Sequence, residues 1–469
     1  MSVERFIAGI REALDGPAVV TDPSLLAKYE TDQRALMTGR ACAVLRPRST
    51  AEVVAIVLLA RENGVGLVPQ GGNTSYCGGA TPDSTATQAV VSLERMTSVR
   101  GLDRIGFTIS VDAGVTLQAI HDAVGSAGLA FGLSLGSQGS CTIGGNIATN
   151  AGGIAVLRYG MARDLVLGLE VVLPDGSIFD DMRALRKNNS GYDVKQLFIG
   201  SEGSLGIITG AVLKLHPIPD THATAWVKLA ENPPLGEMIA LARRESADLI
   251  TSFEFLSPRS LALSHASPPV LEGGSGGALL VELTSSTARI PLDEVLTGLL
   301  EEFFTRGWAE DALIATGGRQ RTEMWRRREL LPEDEKAAGG SVKHDISTPL
   351  SSADRFMREA VDAVRSFDPA LELSLYGHVG DGNIHFNVLV PPGADRIAFT
   401  AMIEAELSPR LYEIALEHGG SFSAEYGIGR FKRGLLDTYA DGRKLGLIKS
   451  LKTAIDPGFL MNRGVLLSE

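Results

Sequence analysis

Apolar residues recur along the chain with two different spacings, and these spacings predict both helices and strands. Helical spacing predicts amphipathic helices over residues 3–14 and 50–63. Ser49, with Glu52 three residues later, is typical of the start of the second helix. From there to about Pro219, β-rich runs alternate with glycine-rich turns. The clearest runs span 66–69, 89–93 and 108–111.

The segment Pro217-Ile218-Pro219 predicts a domain boundary, because the pattern changes beyond it. Longer helical stretches and strands follow, and Pro268-Pro269 interrupts them. The predicted helices span 234–245, 292–306 and 353–366, and the predicted strands span 278–283 and 372–377. Helices and strands in both halves predict an α+β fold. The length of 469 residues predicts two or more domains.

Composition narrows the class of partner. The chain has a net charge of -12, so its surface repels nucleic acid and anionic membranes. No apolar run is long enough for a membrane span, and the N-terminus lacks the apolar core of a secretion signal. Its three cysteines contain no C-x-x-C pair, which disfavours disulfides and iron–sulfur clusters. A cytoplasmic protein fits these features best.

Three glycine-rich segments, at 69–75, 135–153 and 200–208, carry the first chemical signal. Glycines let backbone N–H groups converge on an anion, and the interspersed Ser, Thr and Asn add donors. Neither the G-x-G-x-x-G fingerprint nor a P-loop is present. The alternative is that the glycines only form tight turns. Three such segments in this order favour a site for a dinucleotide.

A paired-histidine segment, 371–390, carries the second signal. Asp381-Gly382 predicts a two-residue hairpin turn, which places His378 opposite His385 and Tyr376 opposite Asn387. Opposed Cβ atoms lie roughly 5 Å apart, a spacing that suits two imidazoles on one metal. The alternative is a polar sheet face with two unrelated histidines. A divalent metal is the favoured interpretation, and Glu425, in a glycine-flanked loop, is the candidate third ligand.

The glycine-rich segments resemble the FAD-binding domain of the vanillyl-alcohol oxidase / p-cresol methylhydroxylase superfamily, over about residues 37–218. The resemblance implies a PCMH-type FAD-binding domain. FAD should be noncovalent, because no histidine lies near the first loop and Cys77 and Cys141 are interpreted as packing residues. The residues expected to bind FAD are Pro69, Gly71, Gly72, Asn73, Thr74, Ser75, Gly136, Ser137, Gly139, Ser140, Gly144, Asn146, Gly153, Glu202, Gly203, Gly206, Ile207, Ile208 and Asn462.

The later segments 325–329, 341–347, 371–390, 423–429 and 456–462 resemble the FAD-linked D-2-hydroxy acid dehydrogenases. That resemblance implies an FAD-linked oxidase C-terminal (substrate or cap) domain, built on an antiparallel sheet with helices. The expected domains are 1–219 for FAD, 220–452 for the substrate and the metal hairpin, and 453–469 returning to the FAD domain. His378, His385 and Glu425 are expected to bind zinc or a similar ion.

The same resemblance implies that Arg328 and Lys343 bind substrate carboxylates. Asn387, which the predicted hairpin places on the same face as the histidines, is expected to orient the substrate. Guanidinium and ammonium groups suit that task. Arg326 and Arg327 are expected on a solvated helix face.

One position departs from the family, which usually has Glu-His-Gly where this chain has Glu425-Tyr426-Gly427. A phenol with an ordinary pKa of about 10 is a poor base at neutral pH. Three outcomes stay open: Tyr426 acts as an activated phenolate, the metal makes a base unnecessary, or turnover is slow. His344 is a further candidate base.

The function that the resemblance implies is oxidation of a small D-2-hydroxy acid, of the D-lactate, D-malate or D-2-hydroxyglutarate class, to the 2-oxo acid. The hydride passes to FAD and then to a separate acceptor, such as an electron-transfer flavoprotein, a cytochrome or a quinone. One alternative is a flavin subunit of a glycolate-oxidase-like electron-transfer complex. Another is a flavoenzyme of the same fold with other chemistry. A homodimer is compatible with all of these.

Overall fold

The computed structural model describes residues 2–263 and 272–468, so Pro268-Pro269 lies outside the described residues. The chain divides into two compact units. The first unit comprises Met1–Gly153, Gly160–Ile218 and Glu425–Glu469, and the second comprises Ile154–Tyr159 and Pro219–Ala424. Both contain helices and sheets, which confirms the predicted α+β class.

The strands of the described residues are numbered in chain order. They are β1 Val19–Val20, β2 Ala41–Leu45, β3 Gly66–Gln70, β4 Gln88–Ser92, β5 Val99–Asp103, β6 Thr108–Asp112, β7 Leu129–Phe131, β8 Val166–Val172, β9 Ile178–Asp180, β10 Ile207–Pro217, β11 Thr221–Leu229, β12 Ile250–Leu256, β13 Gly277–Ser285, β14 Ala309–Ile314, β15 Ser341–Ser347, β16 Leu373–Gly377 and β17 Asn383–Leu389.

The α-helices are numbered in the same way. They are α1 Val3–Ala13, α2 Pro23–Glu30, α3 Thr50–Asn63, α4 Leu117–Gly125, α5 Ile143–Ala148, α6 Val156–Tyr159, α7 Ala162–Leu165, α8 Leu235–Glu245, α9 Pro258–Ala262, α10 Leu292–Thr305, α11 Gly318–Glu329, α12 Leu331–Ala337, α13 Leu350–Phe367, α14 Arg396–Met402, α15 Ser408–Glu417, α16 Arg433–Tyr439 and α17 Gly442–Ile455.

Helix α3 shows how local chemistry sets these bounds. The Ser49 hydroxyl accepts from the Glu52 N–H at 3.2 Å, and the Glu52 carboxylate accepts from the Arg48 N–H at 2.7 Å. These bonds satisfy amides that the first helical turn leaves unpaired. Gly64, with φ 69°, ends the helix in the left-handed conformation that glycine adopts without strain. The predicted range 50–63 is therefore confirmed.

The first unit contains two sheets among its described residues. One has the order β1-β2-β4-β3, and its β2, β3 and β4 run parallel. The other has the order β5-β6-β10-β8-β9, with β7 also paired to β10, and it is antiparallel. The glycine-rich segments lie in the connections of these sheets: after β3, before and within α5, and before β10.

The second unit is built on one antiparallel sheet of seven strands, in the order β14-β11-β13-β12-β16-β17-β15. Directly opposed residues share one face of a sheet, and so do residues two apart on a strand. Tyr376 and Asp345 both oppose His385, and Lys343 opposes Asn387. Strands β16, β17 and β15 therefore bring Lys343, Asp345, Tyr376, His385 and Asn387 to one face.

The predicted register of the histidine hairpin is wrong. Tyr376 opposes His385 rather than Asn387, and Asn387 opposes Ser374. A two-residue turn of the expected type needs positive φ at both central residues. Only Gly382 has it, at 83°, whereas Asp381 does not. The connection is therefore a five-residue turn, 378–382, closed by Asn383 N–H donating to the His378 carbonyl at 3.2 Å.

Candidate functional site

Two histidines of the second unit lie side by side, although not as the cross-strand pair that was predicted. His385 lies on β17, and His378 is the first residue of the turn after β16. Their ring centroids are 5.7 Å apart and the ring planes meet at 79°. Burial, and then the positive charges of His378, Arg328 and Lys343, lower the pKa of His385 well below its ordinary value. His385 is therefore a neutral imidazole at pH 7, which is the form that binds metals.

A buried carboxylate that the sequence analysis missed, Glu254, lies behind His378. Glu254 is 1% exposed on β12. Its Oε1 lies 2.7 Å from His378 Nδ1, and its Oε2 accepts from Arg328 Nε at 2.8 Å. Burial alone would raise the pKa of Glu254, but the charges of His378 and Arg328, with their hydrogen bonds, lower it to about 2. Glu254 is therefore an anion that binds two functional groups at once.

A second missed carboxylate, Asp345 on β15, lies behind His385. Its Oδ1 is 3.8 Å from His385 Nδ1 and accepts from Asn383 Nδ2 at 2.9 Å. Its Oδ2 accepts from the backbone N–H of Ala424 at 3.1 Å. Ala424 is the last residue of the second unit, and Glu425 follows it by one peptide bond. Asp345 thus fixes the chain immediately before the predicted third ligand.

His378, His385 and Glu425 form a group that could hold a metal ion. Each offers one ligand atom, and these atoms all lie within 4.8 Å of one another. Two imidazole nitrogens and one carboxylate oxygen are the ligand set of many catalytic zinc sites, which keep a further position for water or substrate. The residues present therefore fit a divalent metal.

A third buried carboxylate, Glu335 on α12, holds two of the predicted substrate residues. It is 1% exposed. Its Oε2 accepts from Lys343 Nζ at 2.8 Å and from Ser341 Oγ at 3.0 Å. Its Oε1 accepts from Asn387 Nδ2 at 2.9 Å. Lys343 and Asn387 are thus oriented by one anion beside His385.

The arginines at the end of α11 differ from the prediction in which of them are exposed and which are buried. Arg326 is exposed, as expected, but Arg327 is 6% exposed and does not lie on a solvated face. Its Nη2 donates to the carbonyl oxygen of Leu261, and its Nη1 lies 3.7 Å from Asp334 Oδ2. Arg327 therefore fastens α11 to its neighbours. Arg328, also 6% exposed, lies with its guanidinium carbon 5.0 Å from the centre of the Tyr376 ring.

The two candidate bases differ in their surroundings. His344 is 1% exposed, and its ring nitrogens are 2.8 Å from the Phe386 carbonyl and 2.7 Å from Ser408 Oγ. Both nitrogens are engaged within the fold, so His344 is wrong as a substitute base. Tyr426, in the first unit, is half-buried. Lys432 Nζ lies 5.6 Å from the centre of its ring, within the range of a cation–π contact.

The glycine-rich segments of the first unit approach one another closely. A Cβ on Gly72 would meet the Ser140 carbonyl at 2.0 Å, and one on Gly71 would meet Thr142 Oγ1 at 2.2 Å. Gly203, with φ 72°, faces Pro69. The first loop therefore contacts both of the other segments, which only glycine allows at these points.

Buried oxygens near these loops match a polar ligand. Among residues 2–263 and 272–468, Thr142 Oγ1, Asn146 Oδ1 and Asn462 Oδ1 are buried without a hydrogen-bond partner. Unpaired buried oxygens are costly, and a bound ligand with donor groups would pair them. The Asn462 amide donates to the carbonyls of Gly79 and Glu202, at 2.8 Å and 2.6 Å. The cradle fits a dinucleotide such as FAD.

The predicted FAD residues are not all alike in this structure. Gly136 and Gly139 have open space where a Cβ would lie, so close packing does not explain these two glycines. The Glu202 carboxylate accepts from the N–H groups of Ile428 and Gly429, both at 2.8 Å. Burial raises the pKa of Glu202 to about 7, although these two amides lower it. Its side chain thus holds the glycine-flanked loop after Tyr426.

Two family profiles match the chain. An "FAD binding domain" matches residues 41–181, and "FAD linked oxidases, C-terminal domain" matches residues 223–466, more than half of the chain. The chain belongs to the family of FAD-linked oxidases. FAD is therefore its cofactor, and this member is an enzyme, as predicted.

Curated relatives of this FAD-linked oxidase match over most of their own lengths. A "D-2-hydroxyglutarate dehydrogenase" of Xanthomonas citri pv. viticola is 33% identical over 98% of this chain and 96% of its own. A mitochondrial D-2-hydroxyglutarate dehydrogenase of Bos taurus is 34% identical over 97% and 82%. A "D-2-hydroxyglutarate--pyruvate transhydrogenase" of Saccharomyces cerevisiae is 33% identical over 94% and 89%.

Solved structures support the fold of the FAD-linked oxidase. p-Cresol methylhydroxylase has a TM-score of 0.77 at 16% identity, over 98% of this chain and 95% of its own. An alkyldihydroxyacetonephosphate synthase has a TM-score of 0.73 at 18% identity, over 97% and 84%. In the part of the chain that is described, no helix combines the length and apolar composition needed to cross a membrane.

Proposed function

We propose that this FAD-linked oxidase oxidises a D-2-hydroxy acid to the 2-oxo acid, assisted by a divalent metal. The observation that carries the proposal is the His378–His385–Glu425 group with Arg328 and Lys343 beside it. A divalent metal held by these three residues could bind the hydroxyl group of a substrate, and the two cations could bind its carboxylates. The names of the relatives point in the same direction.

The proposed substrate is a D-2-hydroxydicarboxylate of the D-2-hydroxyglutarate class, with D-malate and D-lactate as the other candidates. Two cationic residues, Arg328 and Lys343, can each bind one carboxylate, whereas D-lactate has only one. Two of the relatives are named D-2-hydroxyglutarate dehydrogenase. Zinc is the proposed metal because of the two imidazole ligands.

The residues would divide the chemistry as follows. The glycine-rich segments would hold FAD, which would supply the hydride acceptor, and His378, His385 and Glu425 would hold a divalent ion, which would supply a Lewis acid for the hydroxyl group. Arg328 and Lys343 bind the carboxylates, and Asn387 orients the substrate. Tyr426, acting as a phenolate, would take the hydroxyl proton. The hydride and the proton together account for the two hydrogens lost when the alcohol becomes a ketone.

Anaerobic bleaching of the bound flavin tests this function. D-2-hydroxyglutarate should bleach the flavin fully, D-malate and D-lactate more slowly, and the L-enantiomers not at all. Removal of metal by a chelator should abolish bleaching while FAD stays bound, and added Zn²⁺ should restore it. Absence of bleaching with every D-2-hydroxy acid, in metal-loaded protein, would overturn the proposal.

A separate electron acceptor is proposed rather than oxygen. Tyr426, in place of the family's histidine, favours a second candidate function, a flavin subunit that works only within an electron-transfer complex. Comparing rates with oxygen, with an artificial dye and with an added electron-transfer flavoprotein separates these cases. The cytoplasmic location and the noncovalent attachment of FAD stay predictions.

A further inference from the structure

The strongest unassigned feature is the buried carboxylate of Glu254, which contacts one predicted metal ligand and one predicted substrate residue. It reaches His378 Nδ1 at 2.7 Å and Arg328 Nε at 2.8 Å through its two different oxygens. These contacts join β12, α11 and the turn after β16. We infer that Glu254 is a positioning residue that prepares His378 for metal binding and Arg328 for substrate binding. The inference rests on the proposed function of these two residues.

The contact with Glu254 determines which nitrogen of the His378 imidazole has the proton. A carboxylate can only accept hydrogen bonds, so the proton of the ring must be on Nδ1 when it faces Glu254. The nitrogen that would bind the metal is then Nε2, with its lone pair in the ring plane. Carboxylates that accept from the second nitrogen of a metal-bound histidine fix its tautomer and orientation. Glu254 has this geometry towards His378.

Glu254 also holds Arg328 in one orientation. The Nε–H bond to Glu254 Oε2 fixes the plane of the guanidinium, and Tyr376 packs at 5.0 Å from the guanidinium carbon. Arg328 is only 6% exposed, so few other rotamers are accessible to it. A guanidinium held in one plane can bind a carboxylate with less loss of conformational entropy. One anion thereby sets the orientation of both groups.

Glu254→Gln separates this role from simple packing, because glutamine has nearly the same size. Its single oxygen can accept from Arg328, but its NH₂ group then faces His378 Nδ1. That contact favours a ring protonated on Nε2, the wrong tautomer for a metal ligand. We expect Zn²⁺ to bind 10- to 100-fold more weakly, at about the level typical for loss of such a partner.

Glu282→Gln is the matched control. Glu282 is also a buried carboxylate of the same sheet, 3% exposed on β13, and it accepts from another arginine of α11, Arg321, at 2.6 Å and 2.8 Å. It has no contact with His378 or His385 among the described residues. Glu282→Gln should lower the unfolding midpoint but leave Zn²⁺ affinity within about twofold, since it changes no metal partner.

The measurement is Zn²⁺ binding to the FAD-loaded full chain after removal of metal, by calorimetry with a competing chelator. The proteins compared are wild type, Glu254→Gln, His378→Ala, His385→Ala, the double variant that combines Glu254→Gln with His378→Ala, and Glu282→Gln. The double variant should bind no more weakly than His378→Ala, because Glu254 acts through His378. Additive losses, or equal affinities for Glu254→Gln and wild type, would overturn the inference. If wild type binds no Zn²⁺, or His378→Ala and His385→Ala bind as wild type does, the proposed function fails instead.

Steady-state kinetics at saturating Zn²⁺ test whether Glu254 also orients Arg328 for substrate binding. KM for D-2-hydroxyglutarate should stay raised about tenfold in Glu254→Gln although the metal site is filled, with a smaller change in kcat. Complete rescue of KM by excess Zn²⁺ would contradict a role through Arg328. If Glu254→Gln does not fold, Glu254→Asp serves. Its shorter side chain can reach only one of the two partners, so it should impair either Zn²⁺ affinity or KM, and impairment of neither would overturn the inference.

Discussion

Replacing Glu335 by glutamine removes an anion that accepts from Lys343, Ser341 and Asn387. Glutamine has one acceptor oxygen, so either Asn387 or the pair Lys343 and Ser341 loses its hydrogen bond. A hydrogen bond to a charged group contributes roughly 1.5–3 kcal/mol. If the oxygen stays with Lys343 and Ser341, the Asn387 bond is lost, about 2 kcal/mol, and the Lys343 contact loses its ionic part, about 1 kcal/mol. Since Lys343 is 22% exposed, this lower value is appropriate.

We therefore expect Glu335→Gln to lower the unfolding free energy by about 3 kcal/mol. All three tryptophans, Trp226, Trp308 and Trp325, lie in the second unit, so their fluorescence in urea reports on that unit alone. Asn387 should also lose its fixed orientation, because its Nδ2 would face the new NH₂ group. KM for the hydroxy acid should then rise about tenfold, equivalent to roughly 1.4 kcal/mol.

Glu333→Gln is the control, since Glu333 is exposed on the same helix, α12. It should change neither the urea midpoint nor KM. The reasoning is refuted if Glu335→Gln and Glu333→Gln have the same midpoint, or if KM stays at the wild-type value in Glu335→Gln.

Three further predictions concern the first unit. Gly72→Ala should abolish FAD retention, because its Cβ has no room, whereas Gly139→Ala should retain FAD; flavin absorbance after gel filtration measures both. Glu202 has a folded pKa of about 7, above its ordinary pKa of 4.5, so its contribution to stability falls as pH rises between these values, by about 3 kcal/mol in all. Glu202→Gln should flatten that dependence in unfolding curves at pH 5 and 8, and an unchanged slope contradicts the shift. Tyr426→Phe should slow anaerobic flavin bleaching by about a hundredfold or more, and a change under tenfold means that no phenolate is needed.

The sequence predicted the bounds of a helix correctly where a clear local signal, such as a capping residue, marks each end. Helix α3 begins and ends at the predicted residues because Ser49 and Gly64 define its ends chemically. Helix α13, predicted over 353–366, spans Leu350–Phe367 and begins directly after Pro349, its N-cap residue. Its first turn lacks an apolar repeat, so periodicity could not find its start.

The hairpin register could not be read from local pattern alone. Asp381-Gly382 is typical of a two-residue turn, and that expectation paired His378 with His385. In the structure Gly377 also has an unusual φ of 152°, and His378 leaves the strand there. The Gly380 N–H donates to the Phe253 carbonyl on β12 at 3.2 Å, so a tertiary contact selects the longer turn. The two histidines still meet, but by a different route.

The three buried carboxylates were missed for a physical reason. Glu254 is separated from Arg328 by 74 residues and from His378 by 124, so no motif joins them. One signal was available in the sequence. Glu254 lies within the apolar run Phe253-Glu254-Phe255-Leu256, and a carboxylate on a strand that is buried throughout needs partners.

The distribution of these carboxylates has a consequence for the order in which ligands bind. Around the two histidines, the four carboxylates of Glu254, Glu335, Asp345 and Glu425 outnumber the positive charges of His378, Arg328 and Lys343. A dianionic substrate approaching this face would meet net repulsion, and the overall charge of -12 adds to it. The divalent cation should therefore bind first, and the hydroxy acid should bind after it. Without it, the hydroxy acid should fail to dock at all, and low ionic strength should not help.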